Sequence, residues 1–182
     1  MGFNEVIGQE EAKQQFMKLV AEQRVPHAML LCGPMGCGKM ALAIAFASFL
    51  LGERDGSDPL QSEAVKVLPE LTADKKRNAE AMLAKLAHPD LLFSYPVIRP
   101  AGTSTDNKME SDDFAKEWNQ MVVNSPYFSM DQWLAAMDAG NQQAKIGVGE
   151  SDSLIRKLSM KSSQGGYKVC IVWLPERMNQ TS

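Results

Sequence analysis

Short apolar runs alternate with amphipathic stretches along this sequence. The runs at 28–32, 91–95 and 168–173 are almost continuously apolar, as buried parallel strands are. Apolar residues at helical spacing predict helices at 9–24, 39–51, 78–87, 111–123 and 130–139. A last helix is expected to begin at Ser151 or Ser153, and Ile146 to pair as a short edge segment. This alternation of strands and helices predicts a doubly wound α/β domain.

Two polar stretches interrupt the alternation. Residues 53–77 are polar and include Gly and Pro, which predicts an irregular insertion. Residues 98–147 open with a Gly-, Pro-, Ser- and Thr-rich segment at 98–108, typical of a mobile loop, and continue into two helices. These helices carry the aromatic residues Trp118, Tyr127, Phe128 and Trp133. We favour packing of these rings onto the body of the domain, and an exposed docking patch is the alternative.

The segment after the first apolar run has the spacing of a phosphate-binding loop. Its residues are Gly33, Pro34, Met35, Gly36, Cys37, Gly38, Lys39 and Met40. The pattern Gly-x-x-x-x-Gly-Lys-[Ser/Thr] lets backbone N–H groups approach phosphate oxygens at the positive end of the following helix. Lys39 is expected to reach the β- and γ-phosphates. Met40 replaces the hydroxyl that should hold Mg²⁺, and a thioether is a poor ligand for a hard cation.

The second expected metal position is also apolar. In phosphate-loop ATPases another strand ends in Asp, often followed by Glu, which help to hold Mg²⁺ and orient the attacking water. The corresponding run here ends in Trp173, Leu174 and Pro175, and the first carboxylate is Glu176. Because phosphoryl transfer depends on positioning and charge neutralisation, we expect no intrinsic hydrolysis and no catalytic residue. Weak, metal-free binding of ATP or ADP is expected, with no required cofactor.

The amino-acid composition excludes several classes of protein. The 182 residues carry 19 basic and 22 acidic side chains, a net charge of −3, which offers no electrostatic case for direct binding to nucleic acid. No apolar run reaches the length of a membrane span, and the N-terminus lacks a signal-peptide pattern, so a cytoplasmic protein is expected. Cys32, Cys37 and Cys170 form no Cys-x-x-Cys pair, which indicates reduced thiols, with Cys37 open to a reactive role. His27 and His88 are expected to be structural, so no metal site is predicted.

Several segments resemble the delta-prime family of bacterial DNA polymerase III clamp-loader subunits, which are AAA+ proteins. The residues that carry the resemblance are Val6-Ile7-Gly8-Gln9, 24–28 before Gly33-Pro34, His88-Pro89-Asp90, Ile155-Arg156, Lys168-Val169 and Glu176-Arg177-Met178-Asn179. The resemblance implies a three-layer α/β/α parallel sheet of the P-loop NTPase type, with residues 6–9 beside the adenine. It also implies one domain over 1–182, with insertions at about 53–77 and 98–147.

The resemblance further implies a non-hydrolysing subunit that helps to load the sliding clamp onto primed DNA. Its partners would be other clamp-loader subunits in a hetero-oligomeric ring, with clamp and DNA reached through the complex and no membrane. Any nucleotidyltransferase activity would come by association with the DNA polymerase holoenzyme. Many relatives carry a four-cysteine zinc module, but residues 53–87 contain no cysteine, so no zinc is expected.

The sequence ends after the third core strand, so the family's sheet is expected to be incomplete. In the AAA+ order a fourth strand lies between the loop strand and the third strand, and without it backbone groups would line a gap or an exposed edge. Two other functions remain open. One is an active ATPase or small-molecule kinase with unusual metal ligation through Glu176, and the other is an interaction module with a vestigial loop.

Overall fold

The computed structural model describes residues 1–52, 59–99, 109–163 and 166–179. The chain divides into two compact units, Met1–His88 and Pro89–Ser182. The part of the predicted mobile loop at 100–108 lies outside the described residues. Among the described residues, no helix is both long and apolar enough to span a bilayer.

The first unit is helical and is built around its second helix. Its helices are α1 (Glu10–Ala21), α2 (Lys39–Leu51), α3 (Pro59–Val67) and α4 (Ala73–Leu83). Every residue of α2 after Lys39 is buried except Ala43, so this helix requires neighbours on all sides. Phe16 of α1 stacks on Phe46 of α2 with ring centroids 4.3 Å apart. The helix predicted after the phosphate loop is therefore confirmed, and it forms the core of this unit.

The prediction that 53–77 is irregular is wrong where the structure describes this stretch. It contains α3 and the first turn of α4, which begins five residues before the predicted helix start at residue 78. Thr72 is the N-cap instead, and its hydroxyl oxygen accepts a hydrogen bond from the Lys75 amide at 3.4 Å. Residues 73–77 are exposed, so no apolar periodicity marks this turn, although Ala, Lys and Arg are good helix formers.

Among its described residues, the second unit contains the sheet and three helices. Strands β1 (Leu91–Ser94) and β2 (Val169–Val172) pair in parallel, which confirms two of the predicted strands and an α/β structure. The helices are α5 (Ala115–Asn124), α6 (Met130–Ala136) and α7 (Val148–Ser159), with a 3-10 turn at Ser111–Phe114 before α5. Ile146 forms an isolated parallel bridge with Met178, which confirms the predicted edge segment. Helix α7 begins at Val148, before either predicted start.

Aromatic side chains form the core of the second unit. Trp118 of α5 and Trp133 of α6 are 1% and 0% exposed, so the predicted packing onto the body is confirmed for both. Tyr95 stacks on Trp118 with ring centroids 3.8 Å apart. Burial raises the pKa of the Tyr95 hydroxyl, and nearby carboxylates raise it further. Helix α6 begins with a capping box, because the Ser129 and Gln132 side chains each accept a bond from the other residue's amide.

The prediction of a strand at 28–32 is wrong in this structure. Residues 28–32 are not assigned to any strand, and Leu30 is 75% exposed. In the described part of the chain the sheet has only β1 and β2. An apolar run predicts burial between layers, but a strand forms only where a neighbouring strand accepts its backbone hydrogen bonds. The predicted three-layer sheet is therefore present here only as a parallel pair.

Candidate phosphate-binding site

The predicted phosphate loop lies at the N-terminus of α2 in the first unit. Gly36 and Gly38 have φ angles of 77° and 86°, in the left-handed region where a side chain is disfavoured. Gly38 is the N-cap of α2. Gly33 is favoured for a different reason, because a Cβ atom there would lie 3.0 Å from the Cys37 Sγ and would require that side chain to move. All three glycines of the motif therefore have a local steric explanation.

The first turn of α2 offers backbone donors to an anion. The Leu42 amide donates to the Gly38 carbonyl at 2.9 Å, which starts the helical hydrogen-bond pattern. The amides of residues 39–41 precede this bond, and the first N–H groups of a helix have no intrahelical acceptor. They lie at the positive end of a helix of 13 residues. This geometry suits phosphate oxygens.

Lys39 folds back over the loop. Its ammonium donates to the Gly33 carbonyl at 2.8 Å and the Pro34 carbonyl at 2.7 Å, and it lies 3.7 Å from the Cys37 Sγ. These partners are neutral, so the loop solvates the positive charge, and no carboxylate in the described part of the chain pairs with it. A phosphate oxygen would be a stronger, charge-assisted acceptor for the same donor.

Met40 is part of the apolar core of the first unit. It is only 8% exposed and follows Lys39 in the first turn of α2. The position that holds a Mg²⁺-binding hydroxyl in the motif therefore carries a buried thioether, which does not suit a cation that prefers oxygen.

A hydrogen bond joins the loop to the segment before α1. The Gln9 side-chain amide donates to the Cys37 carbonyl at 2.6 Å. The same segment is fixed by Lys13, which is 6% exposed and donates to the Val6 carbonyl at 2.9 Å and the Glu10 carboxylate at 2.8 Å. Neither the Gln9 bond nor the Lys13 bond to Val6 can be predicted from the sequence, because both depend on the path of the chain before α1.

The second expected metal position lies at the end of β2 in the second unit. The Trp173 amide donates to the Ser94 carbonyl at 2.8 Å. Its ring packs on Trp118 and Phe128, with centroids 5.5 and 5.0 Å apart. Leu174 then adopts a left-handed conformation with φ 56°, and the chain enters a 3-10 turn in which Glu176 is exposed.

Asp90 has a structural role at the start of β1. It is 2% exposed, and its carboxylate accepts bonds from the Ser162 hydroxyl at 3.1 Å, the Ser163 amide at 3.0 Å and the Ser163 hydroxyl at 2.9 Å. The Val169 amide donates to its backbone carbonyl at 2.8 Å. This residue therefore fixes the connection that enters β2.

The remaining candidate ligands are dispersed. His27 and Cys32 are exposed, whereas His88 is 2% exposed. Within the described ranges, no three His, Cys, Asp or Glu side chains are grouped so that they could hold a metal ion. Metal-independent nucleotide binding and the absence of zinc stay predictions.

Comparison with known proteins identifies the family. The family model described as "DNA polymerase III, delta subunit" matches residues 8–182. The chain is also similar to the replication factor C small subunit of Methanosarcina mazei, with 44% identity over 50 residues. That match covers 28% of this chain and 14% of the relative.

A second relative gives a similar result. The replication factor C small subunit of Archaeoglobus fulgidus is 46% identical over 50 residues, which are 28% of this chain and 15% of the relative. Both matches therefore span about one seventh of the relative's length. No solved structure matches the chain significantly. Because the family model covers nearly the whole sequence, the chain belongs to the DNA polymerase III, delta subunit family.

Proposed function

We propose that this chain is a non-hydrolysing AAA+ clamp-loader subunit of the delta-prime type. In this role it helps to load the sliding clamp of bacterial DNA polymerase III onto primed DNA. Family membership and the similarity to replication factor C small subunits support a clamp-loader role. The observation that carries the rest is a formed phosphate loop whose metal position is a buried Met40.

The loop binds the phosphates of ATP or ADP without a required metal. The amides at the start of α2 and the Lys39 ammonium supply the donors. Without Mg²⁺ to offset the charge of the nucleotide, binding is weak. Catalysis is absent because Met40 cannot hold the metal and the end of β2 offers Trp173 and Leu174 where a carboxylate is required.

The subunit acts as a fixed member of a hetero-oligomeric ring. Its partners are other clamp-loader subunits, and it reaches the clamp and primed DNA through the complex. The net charge of −3 agrees with this indirect route, because direct DNA binding requires a surplus of basic side chains. A cytoplasmic location is part of this proposal.

Phosphate release from Mg²⁺-ATP tests the lack of hydrolysis. The wild type, Lys39→Ala and the control Lys18→Ala are compared. Lys18 is a suitable control because its side chain is 74% exposed and it pairs only weakly, at 3.9 Å, with Glu22 on the surface of α1. We expect background release from all three proteins. Robust turnover that is lost in Lys39→Ala but kept in Lys18→Ala would overturn the proposal and support the active ATPase or kinase alternative.

Titration with a fluorescent ATP analogue, with and without EDTA, tests nucleotide binding. We expect saturable binding that EDTA does not change and that Lys39→Ala weakens about tenfold, because a charge-assisted bond contributes roughly 1.5 kcal/mol or more. The absence of binding in both conditions would contradict the proposed site and support the vestigial-loop alternative.

A further inference from the structure

The side chain of Gln9 holds the phosphate loop from outside the loop. Its amide donates to the Cys37 carbonyl at 2.6 Å, across 28 positions of sequence. Both residues belong to the first unit. Cys37 is the residue before Gly38, the N-cap of α2, so the bond acts where the loop becomes a helix.

The backbone of Gln9 is specialised for this contact. It is the N-cap of α1, yet it has φ 62° and ψ 31° and its side chain caps nothing in its own helix. An N-cap is usually extended, with its side chain bonded to the first turn. A left-handed conformation is costly for a residue other than glycine and persists only where surrounding structure fixes it. The Gln9 side chain therefore bonds to the phosphate loop and does not cap its own helix.

Lys13 makes hydrogen bonds that hold the left-handed backbone at Gln9 in place. Its ammonium is buried and bonds to the Val6 carbonyl at 2.9 Å and the Glu10 carboxylate at 2.8 Å. Its amide also donates to the Gln9 carbonyl at 2.9 Å. A buried cation requires such partners, and these bonds join Val6 and Gln9 to Lys13 of α1. Gln9 is held at its backbone and reaches the loop with its side chain.

The bond has a specific consequence for the anion-binding amides. If α2 began one residue earlier, the Cys37 carbonyl would accept from the Ala41 amide, since helical bonds join positions four apart. The Gln9 amide occupies that carbonyl, and the helical pattern starts with the Gly38 carbonyl and Leu42. Because a trans peptide directs its N–H opposite to its C=O, fixing the Cys37 carbonyl also fixes the direction of the Gly38 amide.

We propose that Gln9 is a positioning residue for the phosphate loop. It fixes the Cys37–Gly38 peptide so that the amides at the start of α2 remain directed at an incoming phosphate. This inference rests on the proposed phosphate site. It predicts that Gln9 strengthens the binding of phosphate groups, in addition to stabilising the segment before α1.

The test compares Gln9→Ala with the control Gln23→Ala. Gln23 is also exposed and left-handed, with φ 54°, and its side chain makes no hydrogen bond to the described residues. Both substitutions keep a Cβ atom on a left-handed backbone, so they share the conformational cost. Only the Gln9 substitution removes a bond to the loop. Thermal unfolding by circular dichroism confirms that each variant is folded.

The first measurement needs no ligand. Hydrogen exchange at the hydrogen-bonded amides of Cys37 and Leu42 is followed by mass spectrometry of overlapping peptides. One neutral hydrogen bond corresponds to roughly a three- to tenfold change in a local opening equilibrium. We therefore expect about threefold or faster exchange in Gln9→Ala and no change in Gln23→Ala. Equal exchange in the wild type and Gln9→Ala would overturn the inference.

The second measurement is the affinity for inorganic tripolyphosphate in EDTA, which has no base or ribose. We expect Gln9→Ala to bind roughly threefold more weakly and Gln23→Ala to match the wild type. Faster exchange with unchanged affinity would overturn the positioning role. If the wild type binds no tripolyphosphate, the proposed phosphate site fails, and the exchange result alone then decides whether Gln9 holds the loop.

Discussion

Trp118 and Trp133 allow one hydrogen bond to be measured inside the aromatic core. Both indoles are almost fully buried, at 1% and 0% exposure, and they pack against each other with centroids 5.2 Å apart. The Trp133 indole N–H donates to the buried Pro96 carbonyl at 2.7 Å. The Trp118 indole N–H has no acceptor among the described residues. The same substitution by Phe therefore removes a bonded donor at one site and an unbonded donor at the other.

We expect Trp133→Phe to lower the free energy of unfolding more than Trp118→Phe does. Replacing a buried Trp by Phe loses about 1–2 kcal/mol of packing at either site. At Trp133 the change also leaves the Pro96 carbonyl buried without its partner, which adds roughly 1–3 kcal/mol. At Trp118 it removes an unsatisfied donor, so a similar amount is recovered. Trp118 contacts more rings, and each ring pair contributes about 0.5–1.5 kcal/mol, which reduces the difference. At the middle of these ranges, Trp133→Phe is more destabilising than Trp118→Phe by about 2 kcal/mol.

Urea unfolding followed by far-UV circular dichroism measures both free energies of unfolding. This signal is preferred to tryptophan fluorescence because the substitutions remove fluorophores. Equal m-values are required, so that a change in midpoint reports stability alone. If Trp118→Phe costs as much as Trp133→Phe or more, the bond between Trp133 and Pro96 does not stabilise the fold as argued.

Three further results are expected. Burial, with a smaller effect of a nearby carboxylate, raises the pKa of Cys170 from its ordinary value of 9.0 to about 11, so its thiolate fraction at pH 8 falls roughly 100-fold. Iodoacetamide should therefore alkylate Cys170 far more slowly than exposed Cys32 at pH 8, and comparable rates there would contradict the shift. Asp90→Asn should lower the free energy of unfolding by about 2 kcal/mol in urea, since one carboxylate oxygen that accepts from Ser163 is lost; an unchanged midpoint would argue against it. Met40→Thr should make binding of the ATP analogue sensitive to EDTA without producing phosphate release. Turnover by this variant would contradict the expectation that the apolar residues at the end of β2 prevent hydrolysis.

Local sequence patterns correctly predicted helix α2 and strands β1 and β2. The glycine spacing of the loop and the apolar run of α2 gave the correct helix start at Lys39. The apolar runs at β1 and β2 were correctly predicted as strands, and they form because each has the other to pair with. The segment at 28–32 is also apolar but forms no strand. An apolar run alone does not show whether a second strand is available to pair with it.

The contacts that hold the site could not be predicted from the sequence. Gln9 and Cys37 are 28 positions apart, and Asp90 and Ser163 are 73 apart. A Gln before a helix usually remains solvated, and an Asp after His-Pro has several possible local partners. Only the three-dimensional path of the chain decides which distant carbonyl or amide each side chain meets.

The two apolar replacements at the expected metal positions are also structural residues. Met40 is buried in the first turn of α2, and the Trp173 ring packs on Trp118 and Phe128. A hydroxyl in place of Met40 would lose apolar burial, and a carboxylate in place of Trp173 would put a charge against aromatic rings. Each exchange therefore removes packing from the compact unit that contains it, so a restored metal ligand would come with a lower free energy of unfolding.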